Sequence, residues 1–181
     1  MTLATPDHST APSEAGRTLP DAKVDAKTFV TFDLAGECLG VEVAHVREIL
    51  DRQSVNQLPN ASSDVEGVID IRGESIPIVN MGTRLGLPRS ADSDETRIIV
   101  FEIRSEKLTR PIGVFADKVR DVTLIAPECI EKPPSVEEIL DNPDLLNGIA
   151  RHNDLLILLL DVQRVFAGAS ALPRQLDPAF L

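Results

Sequence analysis

Tyrosine and tryptophan are absent from this sequence, and phenylalanine alone supplies its 3% of aromatic residues. Base-stacking platforms and aromatic-lined sugar grooves rely on such side chains, so both readings are set aside. Basic residues are scarce as well: 18 Lys and Arg against 29 Asp and Glu leave a formal charge of −11. A chain of that sign repels nucleic acid and anionic lipid, which argues against both as partners. No apolar run approaches the roughly 20 residues that span a bilayer, so no direct membrane insertion is expected. No basic segment followed by an apolar core marks a secretory signal. There are two cysteines, Cys38 and Cys129, with neither C-x-x-C spacing nor a histidine at ligand spacing. A disulfide is open to them, but in a chain with no visible signal idle thiols are the default, and the compartment reads as cytoplasm.

What the chain does have is 43% hydrophobic residues over 181 positions, enough for a core in one domain or two small ones. Residues 1–27 are rich in Ala, Thr, Pro, Ser, Asp and Lys and read as a disordered leader; residues 168–181 read as a mobile tail. Order starts near Thr28, where Phe29–Leu34 alternates like a half-buried strand. A turn at Ala35-Gly36-Glu37 leads to a second strand, Cys38–Val43. Apolar residues at 43, 46, 49 and 50 then predict about two helical turns over Ala44–Leu50. Asp64–Glu66 reads as a single helical turn. The stretch Val65–Leu87 follows as strand, tight turn, strand and short helix, with β-branched runs on either side of Arg72-Gly73-Glu74-Ser75. Asn80 is its expected helix N-cap and Pro88 its stop.

After a polar connector the pattern starts again. Ile112–Val122 matches Leu39–Ile49 at one fixed offset, pairing Gly113 with Gly40, Val119 with Val46, Arg120 with Arg47 and Asp121 with Glu48. Gly148-Ile149-Ala150 matches Gly67-Val68-Ile69, and Leu158–Val162 matches Pro77–Met81 at the same offset as those glycines. Two diverged copies of a unit of about 65–70 residues are too few for a solenoid. The second copy carries a Pro- and acid-rich insertion near 127–147, where Ser135-x-x-Glu138 fits a capping box opening a short helix through Leu140. Short strands with frequent turns predict small barrels, and two of them bury apolar faces against each other because each core alone is thin. The expected organisation is a first barrel over 28–92 and a second over 93–167, with exchange of strands between them allowed.

No motif carries catalysis. His8, His45 and His152 have no Cys, carboxylate or second His at ligand spacing and read as surface residues. There is no G-x-S-x-G elbow, phosphate-binding glycine loop or EF-hand spacing, so neither a cofactor nor a metal is expected. Arg72 stands out at its turn as a solubilising charge, a reader of carboxylate or a register-setting ion pair. Val46 and Val119, at matching places in the repeat, read first as core.

The segments Phe29–Leu34, Leu39–Leu50, Leu58-Pro59-Asn60 and Gly67–Met81 together resemble the CheW family of chemotaxis coupling proteins, over about Phe29 to Phe166. Asp70 departs from the Asn common in that family, and Asn80-Met81-Gly82 from its usual Asp-Leu-Arg. The resemblance implies a mainly β fold of two SH3-like five-stranded barrels with short helices. It implies no enzyme activity, and a cytoplasmic location at membrane-associated receptor arrays. It also implies partners: the cytoplasmic tip of a transmembrane chemoreceptor in the groove between the barrels, the regulatory domain of the histidine kinase CheA, and other CheW copies in rings. On this resemblance Val46, Glu48, Val119 and Val122 fall on the receptor-facing surface, and Gly67, Arg72 and Gly73 at the coupling hairpin. An adaptor of a non-flagellar pathway is the alternative, and a small-molecule-binding or hydrolytic β-barrel a remote one.

Overall fold

The computed structural model describes residues 26–104, 109–133 and 145–167. Most of the expected leader, the capping-box helix and the tail lie outside them. The described residues form strands β1 (Lys27–Leu34), β2 (Glu37–Glu42), β3 (Val46–Asp51), β4 (Val65–Ile71) and β5 (Glu74–Val79), then helix α1 (Met81–Leu85). Strands β6 (Arg97–Arg104), β7 (Thr109–Ala116), β8 (Lys118–Ile125), β9 (Ile130–Glu131), β10 (Leu146–His152) and β11 (Leu155–Leu160) follow, then helix α2 (Val162–Val165).

These strands build two sheets, ordered β3-β6-β7-β5-β4 (barrel I) and β8-β1-β2-β11-β10-β9 (barrel II). Neither is made of one repeat. Barrel I takes the last three strands of the first copy and the first two of the second, whereas barrel II takes the first two of the first copy and the last four of the second, short β9 being the extra one. The boundary near residue 92 therefore separates sequence repeats rather than sheets. Every pairing in one barrel has its counterpart in the other. Strand β2 runs parallel to β11 through Gly40 and Leu159, as β7 runs parallel to β5 through Gly113 and Ile78. The short β9–β10 ladder is matched by a bridge between Asn56 and Val68. The molecule is therefore pseudo-twofold symmetric.

Three cores result. Ile69, Ile71, Ile76, Ile78, Ile98 and Val100 fill barrel I. Phe29, Ile125, Ala150, Ile157 and Leu159 fill barrel II. The largest lies between the barrels, with Phe32, Leu39, Val79, Phe101, Val114, Leu160 and Phe166 among its members. Strand β6 shows why its sequence is an unbroken apolar run: Ile98 and Val100 face barrel I, while Ile99 and Phe101 face the central core. Arg84 of α1 fastens the two repeats. Its guanidinium pairs with Asp64, donates to the Val165 carbonyl at 3.1 Å and lies 5.5 Å from the Phe166 ring.

Two sequence expectations are corrected. Residues 44–50 are not a helix: Val43–His45 is one 3-10 turn and Val46–Asp51 is strand β3. The ladder to β6 slips by one residue at Arg47, so that Val46 sits opposite Phe101 and Glu48 opposite Val100. That bulge puts residues 46 and 49 on one face, which imitates helical spacing. Asp64–Glu66 is not a helical turn either: Ser63 and Asp64 form a turn, and Val65 and Glu66 are already the first residues of β4. Asn80 does cap α1, its side chain accepting from the Thr83 N–H at 2.9 Å, but Gly86, in the left-handed region at φ 69°, ends the helix before Pro88. Cys38 and Cys129 are both free thiols.

Candidate docking surface

The hairpin β4–β5 turns at Arg72 and Gly73, both at positive φ (54° and 85°). Two consecutive left-handed residues twist the turn to match its strands. Glycine adopts this conformation freely, but arginine does so at a cost. The Asp70 carboxylate steadies the turn by accepting from the Gly73 N–H at 3.1 Å. The equivalent turn of barrel II uses Asn153 and Asp154, residue types that tolerate the conformation better. Turn geometry alone therefore gives no reason for an arginine at 72.

Gly67 has a different duty. It lies at a slip in the β4–β5 ladder with φ 145°. A Cβ there would come within 2.3 Å of the Asn56 carbonyl oxygen. The close approach lets Asn56 exchange two backbone hydrogen bonds with Val68, at 2.8 and 2.9 Å, along the outer edge of β4. Gly148, its repeat equivalent, makes the same room for Ile130 and Glu131.

The tip of the hairpin reaches the edge strand β3 through four alternating charges. The Arg72 side chain is 84% exposed, yet its guanidinium lies 3.8 Å from the Glu48 carboxylate, which is only 18% exposed. Arg47 sits 3.7 Å from Glu48 and donates to Glu74 at 2.7 Å. The hydrogen bond between Arg47 and Glu74 raises the arginine pKa and lowers that of the carboxyl.

The repeat-related edge strands β3 and β8 carry the other site residues, and each strand has its bulge at an arginine, Arg47 and Arg120. Val46 and Val119 both pack against the central core. One step along β3 on the same face is Ile49, opposite Ile99 and 40% exposed. One step along β8 is Val122, opposite Val30 and 57% exposed, followed by Leu124, opposite Thr28 and 56% exposed. Two apolar rows thus run outward from one core along the seam between the barrels.

Glu48 is not in these rows. It shares its face with Leu50, opposite Val100 and Ile98 of the barrel I core. The structure therefore separates the receptor-facing set proposed from sequence: Val46, Val119 and Val122 belong to the seam, whereas Glu48 joins Arg72 and Gly73 at the hairpin tip. Ile49 and Leu124 were missed. The repeat alignment offered a signal for Ile49, which pairs with Val122, and strict alternation with Thr123 and Ile125 offered one for Leu124.

Elsewhere the described residues are bland. His45 accepts at Nδ1, 3.3 Å from the Gln163 amide nitrogen, while Gln163 is otherwise pinned to the backbone of β6. Among the described residues, no three His, Cys, Asp or Glu side chains gather where they could hold a metal ion. What the arrangement offers is an apolar seam flanked by a charged hairpin, suited to contact with another macromolecule.

Comparison with known proteins agrees on one family. A family model for the CheW-like domain matches residues 28–170. The chain is 28% identical over 143 residues to a chemotaxis protein CheW of Treponema pallidum, covering 77% of this chain and 81% of that protein. It is 27% identical over 151 residues to a chemotaxis protein CheW of Bacillus subtilis, covering 81% and 93%. Among solved structures, a scaffolding protein CheW from Thermoanaerobacter tengcongensis superposes with a TM-score of 0.68 at 29% identity, covering 85% of this chain and 94% of that one.

Proposed function

The chain belongs to the family of CheW-like domains, and from that premise we propose that it is a chemotaxis scaffold coupling a chemoreceptor to the histidine kinase CheA. The observation that carries the reading is the seam: Ile49, Val122 and Leu124 stand exposed at the margin of a core that Val46 and Val119 help to close. A helical segment laying its apolar face along such rows would bury them. The hairpin tip supplies the charged flank, with Arg72 presenting a planar guanidinium that the Glu48 carboxylate orients.

The kinase regulatory domain contacts the barrel ends. The end of barrel II supports this, since Leu155 and Leu156 are exposed just after the turn, where barrel I has Glu74 and Ser75. Other copies of the chain use the same ends in rings. The protein supplies geometry rather than chemistry: receptor states that contact the seam and hairpin differently shift the kinase between its own states. No helix of the described residues is long and apolar enough to cross a membrane.

Titration calorimetry with a receptor cytoplasmic fragment, and separately with the kinase regulatory domain, tests the reading. Micromolar or tighter binding to both is expected, with Val122→Asp weakening the receptor arm alone. No heat of binding to either at high concentration rejects it.

A further inference from the structure

The two walls of the seam are alike for two steps and then differ. Val46 matches Val119, and Ile49 matches Val122, in the repeat and in their placement opposite β6 and β1. The third step is Asp51 on one wall and Leu124 on the other. The Asp51 side chain is 92% exposed and 3.3 Å from Arg97. Leu124 is 56% exposed beside the small polar Thr28.

Two apolar rows related by a pseudo-twofold fit a partner that itself has two like faces, such as an antiparallel pair of helices. On twofold-related walls such a hairpin would lie equally well in either of two directions. The observed walls are not equivalent at their outer ends. In one direction an apolar side chain covers Leu124, and a polar or basic one faces Asp51. In the other, Leu124 meets the polar residue, and the Asp51 carboxylate loses water against an apolar group without a hydrogen bond in return.

We infer that Asp51 and Leu124 fix the direction in which a helical hairpin lies across the seam. The inference rests on the reading of the seam as the receptor-docking surface and adds to it a rule of polarity. Leu124 is about half exposed, so covering it in only one of the two directions favours that direction by about four- to fifteen-fold.

The test uses the full chain with Cys38→Ser and Cys129→Ser, spin-labelled either at Thr28→Cys, beside Leu124, or at Ser54→Cys, beyond Asp51. A chemoreceptor cytoplasmic hairpin labelled on one helix is the probe, and the distance between labels is measured by pulsed electron resonance. One dominant distance for each labelled pair is expected. The combined exchange of Asp51→Leu and Leu124→Asp should invert which label lies near. The milder Asp51→Asn with Leu124→Thr should move the two populations toward equality. Both positions are exposed, and thermal melts of every variant confirm the fold. Two equal populations in the parent chain, or distances unchanged by the exchange, overturn the inference while leaving docking at the seam intact. Failure of the fragment to bind at all overturns the docking reading and the inference with it.

Discussion

Replacing Gly67 by alanine tests the account of how the hairpin is held. Two effects combine at this position. Backbone at φ 145° is a region that side-chain-bearing residues avoid, and forcing one into it costs about 1–3 kcal/mol. The new Cβ would also sit 2.3 Å from the Asn56 carbonyl oxygen. The Asn56 strand segment must retreat, which weakens both hydrogen bonds to Val68, each contributing about 0.5–1.5 kcal/mol. The sum is about 2–6 kcal/mol, or a melting temperature lower by roughly 5–20 °C for a folded region of this size. Gly73→Ala is the control. Gly73 also has positive φ, but a Cβ there would meet nothing within 4 Å, so only the conformational term applies. Urea unfolding followed by circular dichroism should place Gly67→Ala below Gly73→Ala by about 1–3 kcal/mol. Equal loss in the two variants would refute the close-approach argument.

Two further outcomes follow from the same geometry. Arg72→Asn places a tolerant residue at a left-handed position and should raise stability by about 0.5–1 kcal/mol while weakening partner binding; a lower melting temperature or unchanged binding contradicts the view of Arg72 as a contact residue kept at a cost to the turn. Burial pushes the Asp64 carboxyl up, but hydrogen bonds from Ser62 and Arg84 outweigh it and hold its pKa below the ordinary 3.8. The stability this contributes is therefore present above pH 3.8 and is lost as the pH falls through the lower folded value. Arg84→Met should destabilise by about 2–3 kcal/mol at neutral pH and flatten that acid limb, and parallel acid limbs in the parent and the variant count against the pairing.

The parts of the fold legible in the sequence were those set by local chemistry. Glycine at 73 between two β-branched runs was enough to place the hairpin, and Asn80 was enough to place the start of α1. The repeat was legible because Gly40 and Gly113 each sit where a Cβ would press on a side chain of the parallel neighbouring strand. Strand β3 was misread because its bulge at Arg47 turns a two-residue period into a three-residue one. The exchange of strands between repeats left no local trace, since the pairings of β1 with β8 and of β3 with β6 join distant segments. Of the candidate site, the valines were legible as a repeated pair. Glu48 could not be assigned to the hairpin tip without knowing that the bulge turns it away from Val46.

Reconstitution of kinase control tests the central claim most directly. Autophosphorylation of CheA is measured with receptor-bearing vesicles, with and without this chain, and with an Ile49→Asp, Val122→Asp variant whose fold is checked by thermal melting. The account predicts that receptor control of the kinase appears only when the parent chain is present and is lost with the seam variant. Receptor control that is equal without the chain, or undiminished with the charged seam, contradicts it.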